Sequence, residues 1–173
     1  MRKDTFSLET MSVILSLFPI VVFSHALFCM ALSPSTAEHF PGGTIAFFIF
    51  FILVDYSTTF LKRTSNYLPR SNWLWRVTRR PGSNSRVSCD VLSKTPCSTE
   101  APGMPSGHAA TVAFVVHVWA HFGITSNWFG WALLMAVSWA RFYRMCHSPV
   151  QIMVGWAVGV GWASVYERYA CSM

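Results

Sequence analysis

Long apolar runs alternate with short polar breaks along this chain. Met11 to Ser33 is apolar apart from Ser16, Pro19, Ser24 and His25, and Thr44 to Leu61 forms a second run that contains Asp55. A Pro- and Gly-containing turn, Pro34 to Gly43, separates them. From Lys62 to Met104 the character reverses to polar and Arg-rich. Apolar sequence resumes from Ala109 to Phe122, breaks at Gly123 to Asn127, continues from Trp128 to Tyr143, and ends with Pro149 to about Val165. A membrane span needs about 20 mostly apolar residues. The pattern therefore predicts an all-α, integral membrane helical bundle of about five transmembrane helices in one domain, 1–173. N-terminal spans are expected at 11–33 and 44–61, a basic loop at 62–107, and core helices at 108–122, 128–143 and 149–166. Met11 to Ser33 is too long for the apolar region of a cleaved signal peptide and reads as a retained span. Gly155, Gly159 and Ala163 have the spacing that lets helices approach closely. Trp119, Trp128 and Trp131 at one end, with Trp73, Trp75 and Trp139 at the other, fit interfacial aromatic belts.

Composition sharpens this picture. The chain is 53% hydrophobic and 12% charged, yet its net charge is +6. Soluble domains carry about 25% charged residues. Disorder is excluded by the hydrophobicity, and five Cys in 173 residues are too sparse for a disulfide scaffold. Counting spans puts the N-terminus, the 62–107 loop and the turn around His147 on one face, together with every Lys and Arg except Arg168. The loop has few aromatic residues and no nucleic-acid-binding motif, so nucleic acid is not an expected partner. The expected location is a membrane, multi-pass, with membrane lipids as neighbours. Its sidedness stays open. The charge bias places the basic face in the cytoplasm, whereas a Cys89–Cys97 disulfide would place it in an oxidising compartment.

Three stretches on that face carry chemistry. They are Arg79-Arg80-Pro81, Pro105-Ser106-Gly107-His108 before an apolar helix, and Arg141 with His147 and Gln151 further on. A helix N-terminus offers unpaired N–H groups and partial positive charge. Ser106 is a favoured N-cap type, and Gly107 lets the backbone approach a ligand. Together they make an oxyanion site with His108 beside it. His147 precedes Ser148-Pro149, a second helix start. Arg80 and Arg141 offer forked donors that match phosphate oxygens. One His can attack phosphorus while the other protonates the leaving oxygen.

These residues resemble the type 2 phosphatidic acid phosphatase (PAP2) superfamily, which includes glucose-6-phosphatase and the vanadium haloperoxidases. Its signature is KxxxxxxRP, PSGH and SRxxxxxHxxxD. The resemblance covers roughly Lys62 to Gly161 and implies a PAP2/haloperoxidase-like core. It also implies a membrane phosphatase that hydrolyses a lipid phosphate or diphosphate, phosphatidate-like or polyprenyl, through a phosphohistidine. His147 would be the nucleophile and His108 the general acid, then base. Arg80, Ser106, Gly107 and Arg141 would bind the phosphate. No metal and no cofactor is implied. The chain departs from the signature at Trp73, where the family has Lys, at Ala140 before Arg141, and at Gln151, where the family Asp orients the nucleophile. Arg76 or Lys62 would supply the missing cation, and Gln151 would accept from the imidazole. The His-x-Pro-x-Gln run is similar to the glucose-6-phosphatase branch. Alternatives are a phosphotransferase using the same intermediate, or a catalytically weakened structural or lipid-binding protein.

Plainer readings compete at several positions. Ser148 to Gln151 is a capping-box pattern. Asp55, inside a span, is expected to pair with a basic site residue or to hydrogen-bond within the bundle. His117 and His121 lie one turn apart, away from the site, and fit interhelical hydrogen bonds better than metal binding. Cys146 reads as packing beside His147.

Overall fold

The computed structural model describes residues 10–21, 24, 43–81 and 99–172. Five helices organise it: α1 (Thr44–Thr64), α2 (Trp73–Thr78), α3 (Gly107–His121), α4 (Asn127–Tyr143) and α5 (Pro149–Cys171). A 3-10 turn, Ser65–Tyr67, extends α1, and residues 10–16 and 18–21 are helical. No strand pairs with another among the described residues beyond one isolated antiparallel bridge, Arg79 to Pro102.

Helix α3 is the axis of the bundle. Its sequence is mostly Ala, Val and Thr, and Ala109 through Val116 and Val118 are all buried. A helix apolar on every side belongs inside. On one side it packs against α1 and α5 through an aromatic knot, in which Phe114 lies 5.5 Å from Phe47 and 6.0 Å from Tyr166. On another, Val112, Ala113 and Val116 meet Leu134 and Val137 of α4. Two indole hydrogen bonds pin the outer helices, Trp156 to Ser138 Oγ and Trp162 to Ser57 Oγ, both at 3.0 Å.

The closest approach is between α3 and α5. A Cβ added at Gly155 would lie 2.6 Å from the Ser106 carbonyl oxygen. One added at Gly159 would collide with the Ala110 carbonyl oxygen and come within 2.9 Å of Ala113 Cβ and Phe114 N. Ala163, the third position of the small-residue series, is fully buried. The sequence spacing thus marks a true backbone-to-backbone seam.

The helices fall where the apolar runs predict them, and one of them passes a length and hydropathy test for a membrane span. Among the described residues only Ile45–Tyr67 is long and apolar enough to cross a membrane. Helices α3 and α4 have 15 and 17 residues, roughly 22 and 26 Å at 1.5 Å per residue, short of the roughly 30 Å hydrocarbon core. Helix α5 is longer but carries Glu167 and Arg168 near its end. The 11–33 segment lies mostly outside the described residues, as do His25, Cys29, Cys89 and Cys97. The 62–107 stretch is not simply a loop, because its first residues complete α1 and the 3-10 turn and Trp73–Thr78 is helical. Asp55 is exposed on α1 and joins no salt bridge among the described residues, so the pairing with a site cation is corrected. His117 and His121 face Glu167 of α5 at 3.4 and 3.6 Å, an interhelical contact.

The seam gives a direct test. Overpacking a tight core site costs about 1–3 kcal/mol or more. Gly159→Val should lower the melting temperature in detergent strongly, while Gly161→Val, whose added atoms meet open space, should change it little. Equal melting temperatures would contradict the seam.

Candidate active site

The site forms where the N-termini of α3 and α5 meet the C-terminal ends of α1 and α4. The turn after α4 explains the spacing from Arg141 to His147. Helix α4 ends with Arg144 as C-cap, and Met145 adopts φ 54. Met145 N–H donates to the Phe142 carbonyl at 2.8 Å, and Cys146 N–H to the Arg141 carbonyl at 3.1 Å. This is a Schellman motif with Met at the left-handed position where Gly is usual. It folds the chain back so that His147 returns beside Arg141.

His147 is buried at 3% exposure. Its Nδ1 lies 2.8 Å from the Gly103 carbonyl oxygen. A carbonyl only accepts, so Nδ1 carries the proton and Nε2 presents its lone pair. Burial first, then the positive charges of Arg141, Lys62 and Arg80, hold the imidazole well below its usual pKa of 6.5. The neutral ring is the nucleophilic form. Burial likewise pushes the neighbouring Cys146 thiol up, and its Sγ donates weakly to the Arg144 carbonyl.

His108 lies in the first turn of α3. It hydrogen-bonds the Ser16 backbone and feels Arg141, Lys62 and Arg144. Lys62 and Arg141 therefore act on both imidazoles. Lys62 also lies 3.5 Å from where a Gly107 Cβ would stand. Lys62 thus brings the cation that Trp73 does not. Arg76 is exposed on α2 and acts on neither imidazole, so that alternative is corrected.

Of the two consecutive arginines, Arg79 is an anchor. It donates to Asn66 Oδ1 and to the Glu100 and Ser65 carbonyls, and stacks 4.7 Å over Trp75. Arg80 is the one that faces His147. Its backbone is held by Arg80 N–H donating to the Ala101 carbonyl and Gly103 N–H donating to the Thr78 carbonyl.

Ser106 is fully buried at the N-cap of α3, yet its side chain makes no capping bond. Its Oγ has no hydrogen-bond partner among the described residues, whereas buried hydroxyls are normally satisfied. An ordinary N-cap would spend that hydroxyl on its own helix. This one is available to a ligand beside the Gly107 N–H.

Gln151 does something other than orient the imidazole. Its Nε2 donates to the Val77 carbonyl at 2.8 Å and the Arg79 carbonyl at 2.6 Å, and its Oε1 accepts from Ser148 N–H at 3.2 Å. The capping box is present. The partner of His147 is Gly103, and the reading of Gln151 as imidazole acceptor is corrected.

Three further residues join the site without having been read into it. Arg141, 1% exposed, donates to Ser16 Oγ at 3.3 Å, and Arg144 is also buried. The signal for Ser16 was slight: a small polar residue interrupting an apolar run, four residues after Ser12, whose carbonyl its hydroxyl donates to. Gly103 carried none, since its contribution is a carbonyl.

The family model of the PAP2 superfamily matches residues 43–170, most of the chain, and the chain belongs to that superfamily, whose phosphatase members act on phosphate esters. The match is to the superfamily as a whole and does not distinguish among its branches. Comparisons with curated proteins and with solved structures give no significant match.

The buried neutral His147 has a consequence for stability. Its folded pKa is lowered, so the unfolded chain takes up the proton first as pH falls below about 6.5. The stabilising difference is fully present above that pH and is lost below it, by up to about 1.4 kcal/mol per pH unit. Thermal unfolding in detergent should therefore show falling stability from pH 6.5 to pH 5, and His147→Gln should flatten that fall. An unchanged slope in the variant would contradict a buried neutral imidazole.

Proposed function

We propose that the chain is an integral membrane, multi-pass phosphatase that hydrolyses a lipid phosphate or diphosphate through a phosphohistidine on His147. The observation that carries this reading is the Nδ1–H bond from His147 to the Gly103 carbonyl. It leaves Nε2 unprotonated on an imidazole that Lys62, Arg80 and Arg141 act on.

The chemistry follows from these groups. Nε2 attacks phosphorus, the N–P bond forms and the P–O bond to the leaving group breaks. His108 takes the proton that the substrate's phosphate monoanion carries in and gives it to the leaving oxygen. Water then loses a proton to His108 and attacks phosphorus, and the N–P bond breaks. Charge on the three equatorial oxygens is stabilised by Lys62, Arg80, Arg141, the Ser106 hydroxyl and the Gly107 N–H. Preorganised side-chain cations take the part that a metal ion plays in other phosphatases, so the reaction needs no divalent metal.

Two observations favour a lipid substrate. An apolar stripe on α1, including Ile45, Ile49, Ile52, Tyr56 and Phe60, is exposed, as on a surface that meets lipid. A cavity of about 340 Å³, lined by Leu61, Leu68, Met104, Pro105 and Val154 among others, lies beside the segment that carries Gly103 and Ser106. It offers the non-phosphate part of a substrate an apolar environment.

The protein in detergent should release inorganic phosphate from phosphatidate, lysophosphatidate or a polyprenyl diphosphate, in the presence of EDTA. His147→Ala and His108→Ala should abolish release, and Lys62→Ala should lower it by about a hundredfold, the loss of one transition-state charge contact. Arg76→Ala should retain full activity. Full activity in His147→Ala would refute the mechanism. Transfer of label to another acceptor, with no free phosphate, would identify a phosphotransferase. Lipid binding with no turnover across the panel would leave a binding protein.

A further inference from the structure

We propose that Gln151 is a positioning residue that acts on His147 through Gly103, so that a main-chain carbonyl, rather than a carboxylate, orients the nucleophile. This rests on the phosphatase reading above for the role of His147, but not for the geometry.

Gln151 is fully buried and touches all three stretches that build the site. Its amide donates to the Val77 and Arg79 carbonyls, which fixes the segment carrying Arg80. Its own carbonyl accepts from Ser106 N–H at 3.0 Å, which fixes the start of α3. Its Oε1 caps α5 next to His147. The amide fits one way round, because two carbonyl neighbours require the NH2 and an N–H neighbour requires the oxygen. Gly103 lies against this side chain. A Cβ added there would stand 2.6 Å from Gln151 Oε1 and 3.1 Å from Arg80 Cγ. Only a residue without Cβ brings its carbonyl to 2.8 Å from His147 Nδ1 while Gln151 keeps its bonds.

A carboxylate at this place would do two things, hold the tautomer and neutralise the imidazolium. The Gly103 carbonyl does the first and not the second. The charged groups facing His147 are Lys62 from α1, Arg80 from the extended segment and Arg141 from α4, all cations. The positive charge of a phosphorylated imidazole is then balanced by the phosphoryl oxygens alone. Aspartate at 151 cannot restore the carboxylate. It is one methylene shorter, it lacks both N–H donors, and it sets negative charge beside two carbonyls.

The test has two independent readouts. In protein labelled with 15N-histidine, His147, assigned by its absence in His147→Gln, should show the Nδ1–H tautomer at neutral pH. The Nε2–H tautomer in the wild type would overturn the proposal whether or not the protein is active. In turnover with phosphatidate, Gln151→Asp and Gly103→Ala should each lower kcat about tenfold or more with little change in KM, and the double variant should lose little beyond either single one. Gln151→Glu should recover relative to wild type as pH falls, because a protonated carboxyl restores one donor. Wild-type kcat in Gln151→Asp would also overturn the proposal. The Nδ1–H tautomer without phosphate release from any donor would sink the phosphatase reading and leave this geometry standing.

Discussion

The site depends on one constraint, the backbone contact between α3 and α5. Gly155 and Gly159 let α5 lie against the Ser106 and Ala110 carbonyls. That contact brings two helix N-termini to the same end of the bundle. Each presents unpaired N–H groups and partial positive charge, and the Ser106 N–H bond to the Gln151 carbonyl locks them together. Once that distance is set, the side chains have little choice. Lys62 and Arg141 act on both imidazoles and Arg80 acts on His147, with Arg141 and His147 buried.

Such a concentration of positive charge is costly to bury. In this fold the cost is divided among specific contacts. Arg141 reaches Ser16, Arg79 is spent on the neighbouring loop, and the imidazole of His147 stays neutral. What remains is a cluster of cations suited to a phosphate, beside a Ser106 hydroxyl that has no hydrogen-bond partner among the described residues. Preorganisation of this kind stabilises charge that develops in a transition state without reorganising at the moment of reaction.

Much of this was legible in the sequence. The Pro105–His108 stretch, Arg141 and His147 pointed to the superfamily to which the chain belongs, and the Gly155, Gly159, Ala163 spacing identified the seam. Three things were not legible, each for a physical reason. Gly103 contributes a main-chain carbonyl, which every residue has, so its identity signals nothing. Lys62 substitutes for a cation at a distant position, and only the path of α1 shows that it, rather than Arg76, reaches the site. Gln151 read as the acceptor for the imidazole because the family pattern places an acid there, yet its two amide donors go to backbone carbonyls. Apolar runs mark burial in protein as readily as burial in lipid, and α3 is covered by α1, α4 and α5, so the runs place helices more securely than they count spans.

The central claim is that His147 Nε2 attacks phosphorus. The most direct measurement is rapid quenching of the wild-type protein during turnover of a 32P-labelled lipid phosphate, followed by peptide mapping. The account predicts an acid-labile, alkali-stable phosphoenzyme whose label maps to His147 and is absent in His147→Ala. Label on another residue, or equal label in His147→Ala, would contradict it.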